Sequence, residues 1–485
     1  MSFERPRLRL VRRLGSASAV NGLRIFAAGV LLVSSVLGAA ACDGGGDSDG
    51  DGDGKGRSAT TITVAAVDFT RDLERLVGDF RRTHPHIRVK FEFLPESVLR
   101  NRLSKDIADE DGRYDVVSIG PWEAPIWASR GWLTRLDELA GRGDYDVQDF
   151  IPVVRSALSY RNGLYAVPYY GESSFLMYRK DLVARAGLRV PRRPTWWQVA
   201  ELAGKLDDPR HGVAGICLRG GPFWLDLMPL NTVILTFGGR WFDEEWNPRL
   251  TSPETKRAVR FYVDLVRRFG EPRAFEAGPA RCQAAMQEGR VALMYDSTSF
   301  AGRIEDPQRS EVAGKVGYAP APVVRTDGSG WFWTWALAIP VTSGQPEAAW
   351  EFVSWATSRR YVKLYGERLG WVGAPPGSRL STYRLPEYRR AARAFLQPTL
   401  DAINAVNLTR PGLHRQPWRG TPYVGIPEYA GLGGRVAEQI SAAIAGRQSV
   451  DEALAKAQIF ANDVVDGGGY REGSGVRPVS RRPAP

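Results

Sequence analysis

Between Thr60 and Gly120 the apolar residues change period in a fixed succession, and that succession limits the fold of this 485-residue chain more than any other feature. "TITVAAV" is a continuous apolar run of strand length. Leu73, Leu76, Val77 and Phe80 then recur at helical spacing until Pro85 stops the helix. Ile87, Val89, Phe91 and Phe93 alternate with Arg88, Lys90 and Glu92 as a strand does, and "YDVVSIG" is a further buried strand. Strands separated by helices predict a parallel sheet and an α/β fold. Later helices are equally legible: Thr195 caps "WWQVAELAGKL", Ser252-Pro253 opens "ETKRAVRFYVDLVRRFG", and Ala349, Phe352, Val353 and Ala356 stripe a helix after Pro346. The length exceeds one ordinary core, which predicts two domains, and no fixed-period repeat occurs.

Residues 1–41 read as an export signal, with arginines from Arg5 to Arg24 followed by the apolar run Ile25 to Leu37 and small residues at Ala39 and Ala41. That run is shorter than the ~20 residues of a membrane span. Cys42 follows in "GAAAC", which resembles a bacterial lipobox and implies acylation of Cys42, against the plainer alternative of a secreted protein. "VRRLGS" is a weak twin-arginine hint. Residues 42–58 then form a Gly/Asp tether with nothing to bury. Its D-x-D-x-D-G start at Asp49 lacks the calcium ligand expected at the twelfth position, where Thr60 stands. The tail 466–485 lacks an apolar pattern and is expected to be disordered.

Charge and motifs exclude several functions. The leader holds six of the 65 basic residues and one of the 54 acidic ones, leaving 59 against 53, and the net charge drops from +11 to +6. The basic residues are scattered along helix faces, so no nucleic-acid partner is expected. No P-loop, H-E-x-x-H or C-x-x-C pattern is present, and His84-Pro85-His86 lacks a third ligand nearby, so neither metal nor cofactor is expected. Cys217 and Cys282 form one disulfide or remain two buried thiols, a choice that spacing leaves open.

Glu172 lies among four tyrosines and a phenylalanine in "YAVPYYGESSFLMYRKDL", and all 15 tryptophans fall between Trp122 and Trp418, several beside turns. Two chemistries use such residues. Glu172 and Asp296 would be the paired carboxylates of a glycoside hydrolase. Alternatively, carboxylates accept hydrogen bonds from solute hydroxyls while ring faces pack on C–H surfaces, which is binding without turnover. The absence of other catalytic motifs favours binding, so the chain is not expected to be an enzyme.

"YDVVSIGPWEAPIW", "YYGESSFLMYRKDL", "GICLRG", "GGRWFDEEWNP", "WALAIP", "GWVGAPPGSR", "TLDAINA", "YVGIPEY" and "AGRQSVDEALAKAQ", in this order, resemble the carbohydrate-type extracellular solute-binding proteins of bacterial ABC importers, in particular their sorbitol and mannitol branch. The resemblance implies a type II periplasmic-binding-protein-like fold of two α/β lobes, with a hinge and a ligand cleft between them. It places lobe one at 59–168 and 297–339 and lobe two at 169–296 and 340–465. It implies a monomeric lipoprotein outside the cytoplasmic membrane that delivers a polyol or sugar to an ABC permease. Carried over, the ligand-binding residues are Trp122, Glu123, Tyr170, Glu172, Arg219, Trp224, Asp296, Trp333, Trp335, Glu428 and Tyr429. The sequence departs from the polyol branch at Gly120-Pro121-Trp122, where the larger ring would favour a cyclic sugar.

Overall fold

A computed structural model describes residues 59–472. The expected leader, Cys42, the whole of the tether and residues 473–485 of the tail lie outside the described residues. Strands β1 (Thr60–Val67), β2 (Ile87–Leu94) and β3 (Val116–Ile119) are parallel in the order β2-β1-β3, as the periodicity predicts. Helix Asp72–Thr83 joins β1 to β2 and buries Leu73, Leu76, Val77 and Phe80 against the sheet. Acidic residues in its first turn and arginines in its last complement the helix dipole.

Chain passages between sheets differ from expectation. Strand β4 (Ala166–Glu172) joins the first sheet, and β5 (Ser174–Arg179) begins a second one after a single intervening residue, Ser173. Strands β6 (Ala214–Cys217) and β7 (Val291–Ser297) belong to the second sheet. So does β8 (Val316–Pro320), which pairs with β5. Only β9 (Trp333–Ala338) returns, antiparallel to both β3 and β4, giving the orders β2-β1-β3-β9-β4 and β8-β5-β7-β6. Helices Pro346–Ala356 and Arg359–Leu369 then cover the first sheet through Ala349, Phe352, Val353 and Tyr361. The passages therefore fall at Ser173, between Pro320 and Trp333, and beyond Leu369, instead of at 168, 296 and 339. Hydrogen bonding decides this, because β8 reads as a strand from either sheet until its partner is known.

Local signals elsewhere hold. Thr195 and Gln198 form a reciprocal capping box, and the Ser252 hydroxyl accepts from the Thr255 N–H. Cys217 and Cys282 are bridged, with Cα atoms 5.5 Å apart, tying β6 to helix Pro279–Gln287. Residues 466–472 of the expected tail have regular structure: helix Val450–Gly468 runs through Asp466, and Tyr470 packs on Trp246 with ring centroids 4.7 Å apart. No helix among the described residues is long and apolar enough to cross a membrane.

Candidate functional site

A cavity of about 360 Å³ opens between the two sheets, within the range of small-molecule sites. The first sheet contributes the turn after β1 (Asp68, Phe69), Glu96 after β2, Tyr170 and Glu172 at the end of β4, and Trp333 and Trp335 at the start of β9. The second half contributes Arg219, Phe223, Ser299, Phe300 and Arg303. Register explains the clustering: Trp333 lies opposite Glu172 and Trp335 opposite Tyr170 in the β9–β4 ladder. Phe69 meets Trp335 edge-on at 5.8 Å, making an aromatic corner. The "GWVGAPPG" loop seals the floor, where the Gly171 N–H donates to the Pro376 carbonyl at 3.0 Å. A Cβ on Gly171 would come within 2.5 Å of the Gly377 oxygen, so the two backbones meet only because both residues are glycines.

Glu172 is 6% exposed. Burial raises its carboxyl above the ordinary value, opposed by the Ser297 and Ser299 hydroxyls and by Arg219. Asp296 has a different role. It is fully buried and takes a two-pronged ion pair from Arg219, Nε to Oδ2 at 2.9 Å and Nη2 to Oδ1 at 2.5 Å, plus the Ser297 N–H at 2.6 Å. Asp296 has 0% exposure, does not line the cavity and is committed to Arg219, so it is not placed beside Glu172 to face a solute and the carboxylate pair of a glycoside hydrolase is not built. Arg219 also donates to the Leu225 carbonyl at 3.0 Å, and its own carbonyl accepts from the Tyr262 hydroxyl at 2.6 Å. Nearby Asp226 is pushed up to about 6 by burial, with Arg219 pulling the other way.

Of the residues expected to bind solute, Tyr170, Glu172, Arg219, Trp333 and Trp335 line this cavity, whereas the others stand behind or apart from it. Trp122 turns away, its indole N–H donating to the Ile426 carbonyl at 3.1 Å, so the larger ring at 122 does not enlarge the platform facing the cavity. Tyr429 is buried and accepts from the Asn231 amide at 3.0 Å, while exposed Glu428 accepts from Tyr470. Glu123 and Trp224 surround a residue the sequence did not single out. Arg100, on helix Glu96–Ala108, donates to Glu96 Oε1 from Nε and Nη2 at 3.1 and 2.8 Å and forms an ion pair with buried Glu123. Its guanidinium carbon lies 5.3, 5.3 and 5.1 Å from the ring centroids of Trp224, Trp333 and Trp335. Such desolvated cation–ring contacts are worth ~2 kcal/mol each. Burial pulls the Arg100 guanidinium below its ordinary value, with Glu96 opposing. Gly120 lets Trp333 close in on this group, since a Cβ there would meet the indole at 2.6 Å.

Glu96, Phe69 and Ser299 are further cavity residues that sequence reasoning missed. Their only signal is position immediately after β1, β2 and β7, at strand ends where α/β folds gather ligands.

A family described as bacterial extracellular solute-binding protein matches residues 66–363. A mannitol-binding protein of Pseudomonas aeruginosa is 42% identical over 403 residues, covering 82% of this chain and 91% of that protein. An ABC transporter solute-binding protein from Agrobacterium vitis S4, solved with bound D-mannitol, superposes with a TM-score of 0.82 at 43% identity, over 85% of this chain and 99% of that one. A second, from Agrobacterium radiobacter K84 in complex with ribitol, gives a TM-score of 0.74 at 26% identity, over 84% and 100%.

Proposed function

This chain belongs to the bacterial extracellular solute-binding protein family and has its two-lobe α/β fold, and from that premise we propose that it binds an acyclic polyol between the lobes and delivers it to the permease of an ABC importer. One observation carries the solute class: Glu172 and Glu96 face a cavity walled by aromatic residues and edged by the hydroxyls of Tyr170 and Ser299 and by Arg303, a mix of charged acceptors, donors and ring surface suited to a neutral molecule rich in hydroxyls, each of which both donates and accepts. The D-mannitol held by the relative from Agrobacterium vitis S4 supports the same class. The ligand-binding set is Tyr170, Glu172, Trp333 and Trp335, with Arg219 and Asp296 stiffening the far wall. Calorimetry with D-mannitol should show binding, and Glu172→Gln should weaken it by about 1.5–3 kcal/mol, the worth of a hydrogen bond to a charged acceptor. A solute bridging both lobes favours the closed state only through its differential affinity for it, so small-angle scattering should show a smaller radius of gyration at saturation. Release of product from aryl glycosides, abolished by Glu172→Gln, would refute binding without turnover.

The proposal extends to the anchor. Cys42, following an apolar run and small residues and preceding a Gly/Asp tether, carries acyl chains that keep the protein on the outer face of the membrane beside its permease. A fatty-acid probe fed to the cells should label wild type but not Cys42→Ala. Equal labelling of both would remove the anchor from the account.

A further inference from the structure

Indole faces are the natural platform for the flat C–H surface of a pyranose ring, and three of them converge beside this cleft. The faces they turn to Arg100 are already taken, while Trp333 and Trp335 still present other atoms to the cavity. The Arg100 guanidinium occupies the box made by Trp224, Trp333 and Trp335. Glu96 and Glu123 grip it from two sides, and its side chain is only 10% exposed. Trp224 comes from the second lobe and Arg100 from the first, so the filled box also spans the cleft. We propose that Arg100 is a specificity-determining residue: by filling the box it denies the ring faces to a cyclic sugar and leaves an opening edged by carboxylates and hydroxyls that suits an acyclic polyol. This rests on the polyol reading above. An acyclic chain has no flat apolar face to stack and is recognised through its hydroxyls, which Glu172, Glu96 and Ser299 remain placed to meet. Arg100 also holds Trp224 against Trp333, and beyond Trp224 stands Trp122, which lines a separate cavity of about 550 Å³ with Trp246 and Trp418.

The test is calorimetry of D-mannitol and methyl α-D-glucopyranoside, a sugar locked in its ring form, on wild type and two variants. Arg100→Ala empties the box. Arg100→Ala with Glu123→Gln does so without leaving a buried carboxylate unpaired. Wild type should prefer D-mannitol, and in the variants the ratio of the two dissociation constants should move at least tenfold towards the pyranoside. A smaller movement in variants with native circular dichroism overturns the assignment, as does loss of both solutes or failure of both variants to fold. A wild type that prefers the pyranoside refutes the polyol reading itself, whereas a polyol-selective wild type with an unmoved ratio refutes only the role of Arg100.

Discussion

Arg219→Met should destabilise the protein by about 3–5 kcal/mol at neutral pH, among the largest effects available to one substitution. Met is close to Arg in length, so little cavity is created, and the loss comes from Asp296. That carboxylate has 0% exposure and would keep only the Ser297 N–H after losing both prongs of its ion pair. The Leu225 carbonyl would lose its donor as well, and Trp331 the cation lying 5.4 Å from its ring. The double variant Arg219→Met with Asp296→Leu should recover most of the loss, because replacing a buried pair by apolar groups costs far less than orphaning one partner. Urea unfolding of the three proteins decides the matter. A single variant as stable as wild type, or a double variant no better than the single, would show that the pair is not what the second lobe depends on.

Reducing the Cys217–Cys282 bridge should cost about 4 kcal/mol, the chain entropy released when a loop of this length is opened in the unfolded state. The two cysteines are separated by 65 positions, and both sulfurs lie within the apolar layer formed by Met177, Ala285, Met286 and Met294. Reduction leaves every carbon atom in place, so neither cavity formation nor overpacking confounds the comparison, as it would for Cys→Ala. The measured quantity is the urea midpoint with and without dithiothreitol, checked by thiol titration before and after. Unchanged midpoints with two free thiols would mean that the reduced unfolded chain is already compact around this loop.

What the sequence by itself determined is whatever has a short-range physical signature. The change of apolar period from Thr60 to Gly120 specified the parallel β2-β1-β3 unit, and Thr195, Gln198 and Ser252 marked helix starts because a cap acts within one turn. Ordered motifs also brought Tyr170, Glu172, Trp333 and Trp335 onto the list before any contact among them was visible. Only the tertiary structure decided that Asp296 belongs to Arg219, 77 positions away, and so is not a second free carboxylate beside Glu172. It alone put β8 in the second sheet, placed helices Pro346–Ala356 and Arg359–Leu369 on the first, bridged the two cysteines, and set Arg100 among three tryptophans drawn from distant segments. Each of these pairings is fixed by strand order and by the simultaneous packing of many side chains. A residue's neighbours along the chain carry no trace of such a partner, and for that reason Arg100, which reads as an ordinary solvent-facing helix position one turn after Glu96, proves to be a buried cation at the heart of the cleft.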